Sequence, residues 1–177
     1  LVTGRVERLK KKYGLTVSWT HFPLHPETPD SGLSLGELFK GRGYDIEAMK
    51  QRMSGLMAEE NLPYGNRSHT YNSRLAQELS KWGESFPEGE ALNLKLFEGY
   101  FVEGQNLAEP EVLLDIAEAA GLSREVAVGV IRERLFRNAV EADWRRAHEF
   151  GITGVPTFVS GNQGLVGAQP YEALERL

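Results

Sequence analysis

Pro156 places the tightest constraint on what this chain can fold into. It stands directly ahead of Thr157-Phe158-Val159, a β-branched and aromatic run that reads as a strand. Proline has no N–H to give to a ladder, so it belongs at the first residue or the edge of that strand. Gly151 and Gly154 lie just upstream and let the backbone turn sharply into it. A cis Val155–Pro156 bond is sterically open to these residues, but they alone do not suggest it. Beyond the strand, Gly161-Asn162-Gln163-Gly164 reads as a turn, Leu165 and Val166 begin a return strand, and Gln169-Pro170 starts a last helix.

The rest of the chain is mostly helical in pattern. Val2, Val6, Leu9 and Tyr13 follow helical spacing, and Gly14 supplies a C-terminal stop. Lys10-Lys11-Lys12 closes this helix, where cations suit the dipole. Residues 15–22 alternate, with Leu15, Val17 and Trp19 apolar, and predict a strand with one buried face. A helix leading at once into a strand suggests a βαβ unit whose first strand lies ahead of Leu1. Residues 27–33 read as a loop, 34–39 as a short helix, and 41–43 as its end. Asp45 is the expected N-cap of a helix with Ile46, Met49, Met53, Leu56 and Met57 along one face, predicted to be core. Tyr71, Leu75, Leu79 and Trp82 mark the next helix, and residues 91–101 a strongly apolar one. Pro110 opens a further helix that Gly121 ends, and Ser123 caps the one after it. Residues 136–150 form the last helix before the proline, with Glu141, Asp143 and Arg145 read as a solvated face.

Composition limits the function. The chain has 177 residues, enough for one domain or a domain with a large insertion. No apolar stretch approaches the ~18–20 residues of a membrane span. The net charge of −5 argues against a nucleic-acid partner. His21, His25, His69 and His148 match no metal-ligand spacing, so no metal is expected. No glycine pattern suits a phosphate loop, no carboxylate pair stands out, and Ser18, Ser73 and Ser160 lack a hydrolase signature. There is no cysteine, which excludes disulfides and thiol chemistry within these residues.

Three runs carry a resemblance. "GITGVPTFV" with "GAQPYEALERL" at the C-terminus, and "LFEGYFVEGQNLAEPEVLLDIAEAAGL" over residues 96–122, resemble DsbA-like thioredoxin-fold proteins, especially the FrnE-type branch. His21-Phe22-Pro23-Leu24 is similar to that family's run after its second strand. The resemblance implies an α/β thioredoxin-like fold with a large helical insertion. Residues 1–33 and 151–177 would form the thioredoxin-like part, and 34–150 the insertion. It implies a cis Val155–Pro156 bond, with Gly154, Val155 and Pro156 binding substrate through the Val155 backbone. It also implies a strand and a Cys-x-x-Cys just ahead of Leu1, so no catalytic residue is expected within the chain itself. His25 follows the second strand, where loops near such a site sit. Asn72, in "NSRLAQEL", resembles an asparagine near the site. Each has an ordinary alternative: a surface histidine, and a helix cap.

The function expected from this resemblance is thiol–disulfide exchange of the DsbA/FrnE type, acting on protein or small-molecule thiols and disulfides. No cofactor is expected, with glutathione as one thiol substrate. A homodimer is compatible with the pattern, and a cytoplasmic location is expected because no signal peptide is visible. A second reading is a glutathione-dependent isomerase or transferase similar to 2-hydroxychromene-2-carboxylate isomerase and the kappa-class enzymes. That branch typically has an Asp-Arg pair where this chain has Gly167-Ala168-Gln169-Pro170. A third reading is a non-catalytic module that binds extended peptides.

Overall fold

The structure, a computed structural model, describes residues 1–177. Helix α1 (Thr3–Tyr13) ends at Gly14, whose φ of 64° is the left-handed turn expected of a glycine stop. A two-residue strand β1 (Leu33–Ser34) runs into the short helix α2 (Leu35–Leu38). Ser34 and Glu37 close a reciprocal capping box on α2. Helix α3 (Ile46–Glu59) is capped by Asp45, which accepts from the Ala48 N–H. Strand β2 (His69–Thr70) pairs antiparallel with β1. Five helices then follow: α4 (Arg74–Gly83), α5 (Gly89–Phe101), α6 (Pro110–Ala119), α7 (Arg124–Arg132) and α8 (Arg137–Glu149). The chain closes with the hairpin β3 (Thr157–Ser160) and β4 (Gln163–Val166) and with helix α9 (Tyr171–Glu175). No helix is long and apolar enough to cross a membrane.

The core lies among α4 to α7. Fifteen buried apolar residues form one cluster there, with Leu79, Leu92, Leu113, Ala117 and Ala127 fully enclosed. Their spacing within each helix is the three-or-four-residue stripe that faces a neighbouring helix. Glu78 is buried beside this cluster and accepts hydrogen bonds from Arg74 and Arg134, each at 2.7 Å. Burial alone would raise its carboxyl pKa, but Arg134 and Arg74 outweigh that and hold it below the ordinary value.

Several expectations are corrected. Residues 15–22 are not a strand. No backbone hydrogen bond pairs them with another segment, and Leu15, Val17 and Trp19 are exposed. Alternation supplies a face, but a strand also needs a partner for its N–H and C=O groups. The methionine face of α3 is not core, since no residue of α3 is buried. Amphipathic spacing shows which face could be covered, not whether an element arrives to cover it. Tyr71 precedes α4 rather than lying in it. The C-terminal turn is tighter than predicted: Gly161 and Asn162 alone connect the strands, and Gln163 and Gly164 already pair in β4. Gly161 at φ 57° suits a two-residue hairpin loop. Asp143 is not solvated; it pairs with Lys81 at 3.1 Å and accepts from the His21 N–H at 3.1 Å.

Candidate functional site

The approach to Pro156 is set by α8. After that helix the Gly151 N–H bonds His148 O and the Ile152 N–H bonds Ala147 O, both at 2.9 Å, while Gly151 turns the chain with φ 65°. The Thr157 hydroxyl donates to Gly154 O at 2.7 Å and closes the bend around Val155–Pro156, whose peptide bond is cis. Pro156 O accepts from the Gly167 N–H at 2.7 Å, across the base of the hairpin. Val155 itself is 50% exposed, and neither its N–H nor its C=O has a hydrogen-bond partner. A fixed stretch of backbone is thus presented outward with its polar groups free, the arrangement by which an extended chain can be added as a strand.

The first turn of α1 is tied to the same place. The Arg5 guanidinium donates through Nη1 to the carbonyls of Gln169 and Ala168, and through Nε, at 3.0 Å, and Nη2 to the carboxylate of Glu60. Gln169 follows Gly167 closely and returns its own N–H to Gly167 O at 2.9 Å. The helix start, the end of α3 and the loop beneath Pro156 are therefore joined by one side chain.

This geometry coincides with a match along the whole chain: the model of the DSBA-like thioredoxin domain covers residues 1–177. The chain belongs to the DSBA-like thioredoxin domain family. It is 26% identical to the probable DsbA oxidoreductase SCO1869 of Streptomyces coelicolor, with a TM-score of 0.88 over 97% of this chain and 79% of that one. The uncharacterized protein YwbO of Bacillus subtilis (strain 168) is 25% identical over 173 residues, 96% of this chain and 84% of its own. A solved 2-hydroxychromene-2-carboxylate isomerase shares the fold, with a TM-score of 0.76 at 20% identity over 97% of this chain and 84% of that chain.

Within this DSBA-like chain, Asn72 bonds the loop that directly follows His25. The Asn72 side chain donates to Thr28 O at 2.8 Å and Pro26 O at 3.4 Å, and its carbonyl oxygen accepts from the Arg74 N–H at 2.9 Å. Asn72 thereby anchors the 26–28 loop on the start of α4. His25 directly precedes that loop, with Nδ1 3.8 Å from Glu27 Oε1. No hydrogen bond joins either residue to Gly154, Val155 or Pro156.

Two features escaped the sequence reading. Arg5 was one charged residue among several on α1, and nothing in local spacing connects position 5 with 60 or 168. His21 was one histidine of four, yet its Nε2 is buried without a partner. Burial, offset in part by Asp143, pushes its imidazole down to about 4. Gln77 fixes the adjoining Phe22 carbonyl at 3.2 Å and accepts from Trp144 Nε1 at 2.7 Å, which seats the end of the 15–22 segment on α4 and α8.

Proposed function

We propose that this chain forms the substrate-holding part of a thiol–disulfide oxidoreductase of the DsbA/FrnE type. The observation that carries the reading is the unpaired backbone of half-exposed Val155, linked through Pro156, Gly167, Gln169 and Arg5 to the first turn of α1. An extended substrate pairs with Val155, and its sulfur is thereby brought toward that helix end. A helix N-terminus favours a thiolate, because its unpaired N–H groups and its dipole stabilise negative charge. In this reading a Cys-x-x-Cys ahead of Leu1 supplies the thiolate. It attacks one sulfur of a substrate disulfide, the substrate S–S bond breaks, and the other sulfur leaves as a thiolate. The second cysteine then attacks the mixed disulfide, which releases the reduced substrate and leaves the enzyme disulfide. Partners are protein or small-molecule thiols and disulfides, and the working location is the cytoplasm.

The test uses the native polypeptide. Thiol titration under denaturing reduction should find two thiols per chain, and a disulfide-bonded peptide should be reduced catalytically in the presence of a dithiol. A native polypeptide without thiols that acts only with glutathione would instead support the isomerase or transferase reading. Peptide binding without any exchange would leave a binding module.

A further inference from the structure

Arg5 joins three segments that are remote in sequence. It lies in the first turn of α1 and reaches Glu60, the residue after α3, and the carbonyls of Ala168 and Gln169. The Arg5 and Glu60 side chains are each only 21% exposed, so this is not a loose surface pair. A guanidinium fork can serve a carboxylate on one edge and carbonyls on another at the same time. A lysine ammonium is a point charge and cannot hold that geometry. The loop it grips also carries Gly167, whose N–H holds Pro156 O and whose φ of 89° favours glycine. Within residues 1–33 and 151–177 the only buried apolar side chains are Leu9 and Leu174, so packing supplies little of the order here.

We propose that Arg5 is a positioning residue. It holds the 167–169 loop, and through Gly167 the Val155–Pro156 backbone, in register with the first turn of α1, so that a peptide paired on Val155 meets the reacting group at that helix end. This rests on the disulfide-exchange reading above. Arg5 touches neither the substrate nor the reacting sulfurs. It acts through the loop, and its loss should therefore affect a substrate that uses the peptide backbone and spare one that does not.

The experiment compares Arg5→Ala, Arg5→Lys and Glu60→Gln in the native polypeptide by amide hydrogen exchange and by steady-state kinetics. In the two Arg5 variants the Gly167 amide should exchange about tenfold faster, while Leu79, Leu92 and Leu113 keep their protection. KM for a disulfide-bonded peptide should rise about tenfold with kcat held within about twofold, and a small disulfide lacking a peptide backbone should keep its wild-type KM. Glu60→Gln retains an acceptor and should fall between wild type and Arg5→Lys. Unchanged Gly167 exchange and unchanged peptide KM in both Arg5 variants would overturn the proposal. So would faster exchange throughout α4 to α6, or an equal loss with both substrates. If Arg5→Ala does not fold, Arg5→Lys and Glu60→Gln carry the same readouts. If the wild-type protein turns over neither disulfide, the exchange reading fails, and Gly167 protection still decides whether Arg5 is the clip.

Discussion

Helices α4 to α7 and the two terminal segments solve opposite problems with the same kinds of residue. In the helical block, leucines and alanines from successive helices enclose one another, with Leu79, Leu92 and Leu113 removed from solvent. In the two terminal segments, apolar side chains stay in contact with water: Leu15, Val17, Trp19, Val155, Val159 and Val166 are all exposed. Order there comes from polar links instead: Arg5 on Gln169, Gly167 on Pro156, Lys12 on Glu175, and His21 on Asp143. The contrast teaches a division of labour. Burial fixes the block, because each enclosed methylene contributes about 0.8 kcal/mol. The platform keeps free backbone to offer, because it is held by a few directed bonds rather than by packing.

The largest expected effect tests the dense side of that contrast. Leu113→Ala would open a cavity in the cluster and should cost ~2–5 kcal/mol in urea unfolding. A loss near zero would mean that the block is loosely packed and that the contrast is false.

An intermediate effect belongs to the boundary between the regions. The His21 imidazole is held at about 4, against 6.5 when exposed. The unfolded chain therefore takes up a proton that the folded chain refuses as pH falls from about 6.5 toward about 4. This contribution to stability is complete above about 6.5 and is lost on acidification through that window. His21→Phe removes the unpartnered Nε2 and the titration together. Its unfolding free energy should match or exceed wild type at pH 7 and decline less steeply toward pH 4.5, with both slopes read from urea midpoints. Parallel slopes would show that the His21 imidazole is not withheld from protonation by burial between the 15–22 segment and α8.

The smallest effect tests the open side. Val159 is 49% exposed on the hairpin, so Val159→Thr should change stability by no more than ~0.5 kcal/mol. A loss as large as that of Leu113→Ala would show that the hairpin face is covered in solution.

What was legible in the sequence was local. Gly14, Asp45, Pro110 and Ser123 announce helix ends through interactions within one turn, and each stands where the structure starts or stops a helix. The run around Pro156, together with residues 96–122, was enough to point to the DsbA-like fold. The larger failures were non-local. Leu15, Val17 and Trp19 alternate as a strand should, yet nothing in residues 15–20 pairs. Met49, Met53 and Met57 form a stripe on α3 that no other element buries. The β1–β2 ladder is two residues long and joins segments about 35 residues apart, too short for any periodicity to show.

By itself, then, the sequence determined the helix ends marked by Gly14, Asp45, Pro110 and Ser123, that a proline opens the C-terminal hairpin, and that residues 1–177 contain no thiol. Those properties depend on a residue and its near neighbours, or on composition. Only the tertiary structure decided which apolar faces are covered, that Asn72 anchors the 26–28 loop, and that Arg5 meets Glu60 and Gln169. Each of these requires groups far apart in the chain to arrive at hydrogen-bonding distance. A side chain's type states what it could bond, and its partner is chosen by the packing of the whole molecule.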